Sequence, residues 1–582
     1  MIHKGLPDPA EGLSIVLCGP AGLGIQTVEY LLTRIFKLAG YNVFATKEYM
    51  SRVRGGMNST TIRVSSVPVK AFVDRIDILV ALGAGAIAHL SRRVEAETIV
   101  FGQRQSLESE LASTSCRFFD VPLSQTALAV GDKIYSNTVA TGIIAGVFGI
   151  ELQMSIKFLH KYFAGKSVEV VQKNIQALTA GYEIGRQLVR TGRIEISIEK
   201  DAAVAEQILL GGAEAVGLGA IAGGCNFISS YPMSPSTPVL VFMAKHSNEF
   251  GIIAEQAEDE IAAMNMAIGA WYAGARAMVT TSGGGFALMT EGLSLAGMLE
   301  SPMVIHLAQR PGPATGLPTR TEQADLELAL YAGHGEFPRI ILAPGKLADG
   351  FYLTQKAFNL ADKYQMPVFV LTDQYFIDTY YNIPAPDLSH LKVEEYVTET
   401  KPDYRRYELT ADGISARGIP GFGTGLVYVD SDEHTVEGCI TEDLQLRVKM
   451  VDKRLKKLEA AKSEIIEPEL VGPTNYKRLV ICWGSTYNIV NEALCRLNRD
   501  DLAMLHYKQL YPLPTSTAEY LKKAQETIIV EANATGQFAK LIKLATGISI
   551  EQKILNYSGL SFTVEQVVES LEKLMKVYAY EH

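Results

Sequence analysis

Short apolar runs alternate with longer stretches whose apolar positions recur at helical spacing, from residue 13 almost to the end of the chain. That alternation predicts an α/β protein with largely parallel sheets. The run Leu13–Leu17 predicts a strand. It opens into the turn CGPAGLGIQT (Cys18–Thr27), a helix through VEYLLTRIFKLAG to Gly40, and a second strand over Tyr41–Thr46. Together these form a β-turn-α-β unit of nucleotide-binding style. Further strands are predicted at Ile76–Ala81 and Thr98–Phe101, and residues 156–192 read as helix.

A polar stretch, Ser197–Ala202, marks a boundary, giving a first module over 1–198 and a second over 199–440. The second begins with a Gly-rich helix, a short strand and a Pro-punctuated loop in LGAIAGGCNFISSYPMSPSTP. An acidic loop then enters an apolar helix, and strands follow in RAMVTTSGGG, PMVIHLAQR, IILAPG and MPVFVLTDQ. Residues 380–440 are irregular, rich in Pro, Gly and acid. Residues 441–472 carry the charged helix LQLRVKMVDKRLKKLEAAK, which reads as a solvated connector. A third α/β module occupies 473–582, with strands in RLVICWGS, LAMLHYK and TIIVEANATGQ.

Composition narrows the function. A chain of 582 residues suits three or four domains, and 47% hydrophobic against 20% charged residues is a globular balance. The net charge of −10 argues against a nucleic-acid partner held by bulk charge. No apolar run approaches the ~18 residues that span a bilayer. The N-terminus MIHKGLPDPAEG lacks the features of a secretory signal, so a cytoplasmic location is expected. The six cysteines, Cys18, Cys116, Cys225, Cys439, Cys482 and Cys495, are scattered. They provide no ligand run for zinc or an iron–sulfur cluster, so no metal site is read here, and any redox metal sits elsewhere.

Chemistry concentrates between residues 231 and 325, where four loops follow four strand-like segments and would meet at the carboxyl edge of a parallel sheet. In Tyr231–Pro238 (YPMSPSTP) three prolines hold a turn that offers the hydroxyls of Ser234, Ser236 and Thr237; helix capping by Ser236 or Thr237 is the plainer account. In Glu255–Glu260 (EQAEDE) the acids either complement a helix dipole in solvent, or Glu260, which leads into IAAMNMAIGA, is drawn inward as a proton partner. The glycines of TTSGGGFALMTEG (Thr280–Gly292) allow close backbone approach to a ligand, or equally tight helix–strand packing. In QRPGPATGLPTRTEQADL (Gln309–Leu326), Arg310 follows a buried strand and can hold a carboxylate, with Thr315, Thr319, Arg320 and Thr321 beside it. So long a polar loop points to function.

Elsewhere the signals are weaker. The turn with Gly19, Gly22 and Gly24 is a loose dinucleotide fingerprint, and Lys47 precedes Glu48 where an acid should end the second strand, which argues against nicotinamide. Arg52 and Arg54 read as surface arginines able to meet an anion, and His434, among acidic neighbours, reads as a surface histidine.

The four loops, in this order, resemble those of the 2-oxoacid:ferredoxin oxidoreductases. YPMSPSTP is similar to that family's YPITPST, TSGGG to TSGPG, and QRPGPATGLPTRTEQADL to RPGPSTGLPTRTEQ; EDEIAAMNMAIGA is similar to its acid-then-helix segment. The N-terminal GPAGLGIQT…RGG resembles the gamma module, and GSTYNIVNEAL with VEANATGQ resembles a transketolase C-terminal-like module. The resemblance implies a gamma–alpha fusion: a gamma-type parallel-sheet domain, a doubly wound thiamine-pyrimidine-binding domain, the helical connector and the C-terminal module.

The resemblance also implies a chemistry. Thiamine diphosphate would lie between this chain and a beta subunit, with Glu260 on the aminopyrimidine and Pro232, Ser282 and Gly283 also bordering the cofactor. Arg310 would hold the substrate's C1 carboxylate. Ser234, in place of the family's loop threonine, would border the substrate together with Thr315 and Thr319. Electrons would pass through iron–sulfur clusters to ferredoxin, and coenzyme A would take the acyl group. The family's GDG…Asn motif for diphosphate and Mg2+ is absent here, as are cluster cysteines. Both are therefore expected on the beta subunit, along with [4Fe-4S], in a dimer of heterodimers whose lone alpha chain is inactive. The implied reaction is oxidative decarboxylation of 2-oxoglutarate to succinyl-CoA or the reductive carboxylation that fixes carbon in the reverse direction. Pyruvate or branched-chain 2-oxoacids are the alternative substrates, and a non-catalytic nucleotide-binding scaffold is the alternative class.

Overall fold

A computed structural model describes residues 11–50 and 56–581, with side chains to residue 576. Arg52 and Arg54 lie outside the described residues. Two compact units emerge, one formed by the chain up to Leu210 with Asp378–Ala385, the other by Gly211–Ile377 with everything from Pro386 onward.

The first unit is built on an eight-stranded sheet. Its order is Arg117–Asp120, Ile99–Gly102, Ile78–Ala81, Leu13–Pro20, Met57–Ser65, Asn42–Glu48, Tyr380–Pro384, Gln207–Gly211. The first four are mutually parallel. The strands predicted from Leu13 and Tyr41 are not neighbours, because Met57–Ser65 lies between them, antiparallel to both. Its sequence, MNSTTIRVS, hides it from a hydrophobic pattern, since Ser59, Thr60, Thr61 and Arg63 are buried. β-Branched threonine suits a strand without looking apolar.

Residues 156–192 form two helices rather than one, Leu152–Tyr162 and Val168–Arg190, the second capped by Ser167 Oγ accepting from Val170 N at 3.4 Å. The helix Ser136–Val147 packs on Val168–Arg190 through glycines. A Cβ on Gly142 or Gly181 would stand 2.2 or 2.1 Å from a backbone oxygen of the opposing helix, a distance that no other residue tolerates.

The second unit contains two sheets. The larger runs Gln509–Tyr511, Ile340–Leu342, Pro367–Asp373, Met303–Gln309, Ala277–Thr281, Phe227–Ser230, Ile253–Gln256. Six strands are parallel, and Gln509–Tyr511 is antiparallel at the edge. From Phe227–Ser230 the chain steps to one side, and from Ala277–Thr281 it steps to the other. The two adjacent strands therefore define a topological switch point, the place at which open α/β sheets form a crevice at the carboxyl ends of their strands. Val279, Ile305 and Phe369 lie in register across the sheet centre and are fully buried, each contributing roughly 1.5–3 kcal/mol. The smaller sheet runs Glu469–Val471, Leu502–Tyr507, Arg478–Trp483, Glu526–Glu531, Gln552–Leu555, parallel except for the first strand.

Two expectations are corrected here. The helix Leu444–Ala461 is not a solvated connector: Lys453, Arg454 and Lys457 are buried. Glu300 receives Lys453 Nζ at 2.6 Å and pairs with Lys457. Burial alone would raise the Glu300 carboxyl, but Lys457 and Lys453 outweigh it and hold it low, while burial pushes the Lys457 ammonium down to about 7. A charge pattern cannot distinguish solvent from a buried counter-ion. Likewise His434 is fully buried, with Nδ1 3.0 Å from the Asp432 carbonyl oxygen and its ring centroid 3.9 Å from that of Tyr407. Among the described residues, no helix is long and apolar enough to cross a membrane.

Candidate active site

The crevice at the switch point gathers the loops singled out in the sequence. The strand Phe227–Ser230 delivers residues 231–236, and its Ser230 Oγ donates to the Thr280 carbonyl oxygen at 2.6 Å, tying it to the neighbouring strand. Neither hydroxyl of the loop caps the next helix. Ser236 occupies the N-cap of Thr237–Lys245, but its Oγ donates back to the Met233 carbonyl oxygen at 2.7 Å. Pro232 and Ser234 are half-buried.

The acidic loop divides its labour. Glu255, Glu258 and Asp259 are exposed, and Asp259 caps the helix Glu260–Tyr272 by accepting from Ala262 N at 2.7 Å. Glu260 is turned inward and is 4% exposed, and its Oε1 is buried without a hydrogen-bond partner. It faces the glycine turn that follows Ala277–Thr281. A Cβ on Gly285 would lie 2.3 Å from Thr281 Oγ1 and 2.6 Å from Glu260 Oε1. The turn carries a second orphan, for Ser282 Oγ is buried and unpartnered. Two buried polar atoms without partners beside one glycine turn are groups that a ligand's hydrogen bonds could satisfy.

Arg310 ends the strand Met303–Gln309 and is 8% exposed. Its Nη1 donates to the Ser234 carbonyl oxygen at 2.7 Å, while Nε has no partner. Burial lowers its pKa, and Asp325 and Glu260 counter this as the carboxylates near its charge. The structure thus brings Glu260, Arg310, the Ser234 backbone, Ser282 and Gly283 to one place. Thr315 is exposed at the tip of the loop, next to Ala314, whose carbonyl oxygen is 3.5 Å from where a Gly284 Cβ would sit. Thr319 is buried further along the loop.

The far end of this loop is fixed by the C-terminal sheet. Gln323 N donates to the Ala532 carbonyl oxygen at 2.6 Å, and its Oε1 accepts from Ala532 N at 3.0 Å. Its Nε2 donates to the Trp483 carbonyl oxygen at 3.0 Å. Thr321 N donates to the Gly559 carbonyl oxygen at 3.1 Å, and its Oγ1 accepts from Tyr375 N at the same distance. Sequence reasoning missed Gln323 and Asp325. Both stand in the quoted TEQADL, but nothing in their spacing announces the long-range partners that bury them.

Comparison with known proteins gives the family of the chain. Residues 14–184 match the family described as pyruvate ferredoxin/flavodoxin oxidoreductase, and residues 218–453 match its thiamine diphosphate-binding counterpart. The 2-oxoacid:ferredoxin oxidoreductase subunit alpha of Sulfolobus is 33% identical, covering 97% of both chains. The 2-oxoglutarate oxidoreductase subunit KorA of Mycobacterium tuberculosis is 28% identical over 96% of this chain and 90% of its own. A solved structure of 2-oxoglutarate:ferredoxin oxidoreductase from Magnetococcus marinus, with 2-oxoglutarate, coenzyme A and succinyl-CoA bound, superposes with a TM-score of 0.88 at 30% identity, covering 97% of this chain and 99% of that one. Likeness sustained along nearly the whole length, through both the glycine-turn module and the Glu260–Arg310 crevice, means that the chain belongs to the 2-oxoacid:ferredoxin oxidoreductase family, as a fused gamma–alpha subunit.

Proposed function

We propose that this chain is the substrate- and thiamine-binding subunit of an enzyme that interconverts 2-oxoglutarate and succinyl-CoA, with carbon dioxide and ferredoxin as partners in the exchange. The observation that carries this reading is the convergence of Glu260, with its buried unpaired oxygen, and Arg310 at the switch point. A non-catalytic scaffold would not require that convergence. The choice of 2-oxoglutarate is supported by the KorA relative and by the ligands of the Magnetococcus marinus structure.

The residues present fit thiamine diphosphate. Glu260 Oε1 can accept a hydrogen bond from a protonated ring nitrogen, Ser282 Oγ is a second buried polar atom without a partner, and Gly283 and Pro232 would border the same group. When bound, the group would supply a nucleophilic carbon and an electron sink for decarboxylation of a 2-oxoacid. Glu260, shielded from water, holds or releases a proton at the pyrimidine ring. Arg310 orients the C1 carboxylate by charge-assisted hydrogen bonds, with Nε available and Nη1 steadied by Ser234. Ser234, Thr315 and Thr319 border the substrate.

A beta subunit would provide the diphosphate and Mg2+ motif and the [4Fe-4S] ligands, in a cytoplasmic dimer of heterodimers. Modules at 1–198, 199–440, 441–472 and 473–582 accompany this reading as sequence modules; the sheets exchange strands across them, Gln207–Gly211 and Tyr380–Pro384 joining the first sheet, Gln509–Tyr511 the second and Glu469–Val471 the third. The test is CoA-dependent ferredoxin reduction by the assembled complex across a panel of 2-oxoacids. 2-Oxoglutarate should exceed pyruvate in kcat/KM by about tenfold or more, the worth of one added polar contact. A higher value for pyruvate or a branched-chain acid would overturn the assignment.

A further inference from the structure

Asp325 brings a further carboxyl group to Arg310. Its position is set by the sheet itself: Asp325 N donates to Gln309 Oε1 at 3.0 Å, and the fully buried Gln309 donates through Nε2 to the Thr372 carbonyl oxygen at 3.0 Å. The carboxylate is pressed against the glycine turn. A Cβ on Gly283 would meet both of its oxygens at 2.4 Å, and Oδ2 is buried with no hydrogen-bond partner.

The electrostatics of this arrangement are unbalanced. Arg310 is influenced by Asp325 and Glu260, and Glu322 acts on Asp325 from the same loop. A 2-oxoacid adds another carboxylate to this group. If every acid stayed ionised, the substrate carboxylate would meet the like charge of Asp325 beside the guanidinium it binds. One of the acids is poised to give way. Burial first, and Glu322 second, push the Asp325 carboxyl up to about 7, with Arg310 opposing. Burial alone raises Glu322.

We propose that Asp325 takes up a proton from solvent as the carboxylate of the 2-oxoacid settles on Arg310, acting as a positioning residue that sets the pH dependence of substrate binding. The proposal rests on the reading of this crevice as a 2-oxoacid site. No substrate bond changes in this step. The proton stays on the Asp325 carboxyl, which then offers a donor instead of a competing charge, and Arg310 is left to the substrate.

The sign follows from the raised pKa. Asp325 is neutral at acid pH and ionised above about 7, so binding weakens on the alkaline side. KM of the assembled enzyme should rise by up to about tenfold per pH unit above that point while kcat holds, as linkage to one proton requires. D325N, neutral at every pH, should abolish the rise. E322Q should move its onset to lower pH. A purely structural role for Asp325 would produce neither effect. Calorimetry of the wild-type holoenzyme with the 2-hydroxyacid analogue, in buffers of different ionisation heat near pH 8, should register uptake of a proton. A KM independent of pH, a slope that survives in D325N, or binding without proton uptake would overturn the proposal, and the calorimetry decides the matter even if D325N fails to fold. An assembled wild-type enzyme that turns over no 2-oxoacid would instead overturn the reading of the site on which the proposal rests.

Discussion

Four acids stand within six residues of one another at Glu255–Glu260, and the start of a helix decides what each does. Asp259 caps, Glu255 and Glu258 face solvent, and Glu260 is carried inward by the first helical turn. Its neighbour Gly285 is as constrained as the acid itself, because any Cβ there overlaps Thr281 Oγ1 and Glu260 Oε1. G285A should therefore lower kcat of the assembled enzyme by about tenfold or more through displacement of Glu260, since shifts near 1 Å cost up to about 100-fold. Steady-state kinetics beside a thermal melt would show it, and wild-type kcat in a folded G285A would contradict it. The inward turn of Glu260 and the strand-end place of Arg310 were legible because each adjoins an apolar run. Asp325 was not, because its enclosure is made by Gly283, 42 positions away by number. His434 was misread for the same reason: acidic neighbours in sequence do not reveal the Tyr407 ring on which it packs.

At the scale of elements, the loop after Met303–Gln309 is a strap fastened at both ends. Arg310 holds one end to the Ser234 backbone, and Gln323 holds the other to Trp483 and Ala532. Q323L would leave the Ala532 N–H unpaired, at about 1–3 kcal/mol, and would take one of two donors from the Trp483 carbonyl, which keeps Thr486 Oγ1. The variant should melt several degrees lower and raise the 2-oxoacid KM more than it lowers kcat, because the substrate side of the strap is loosened. Calorimetric melting and kinetics measure both, and an unchanged Tm would rule out the strap. Most strands of the second unit could be read from their apolar runs because parallel strands are covered on both faces. Met57–Ser65 could not, since most of its buried positions carry hydroxyls, and the charge of Leu444–Ala461 concealed a helix anchored by Glu300.

At the scale of the whole molecule, the α/β class and the thiamine-type loops were legible, and the path of the chain was less so. Asp378–Ala385 returns to the first unit from deep within the second segment, an exchange that no local pattern encodes. The scattered cysteines take on meaning at this scale too. A chain that positions substrate and primes a cofactor needs no cluster ligands if a partner carries the electrons. The proposed division of labour would require Glu260 to act on a group whose diphosphate a partner subunit holds. Its most direct test is deuterium exchange at C2 of thiamine diphosphate in the assembled enzyme, compared between wild type and E260Q by quenched-flow NMR. Exchange should slow by about 100- to 10,000-fold in E260Q, the range of general acid–base assistance. An unchanged exchange rate would contradict the shared site.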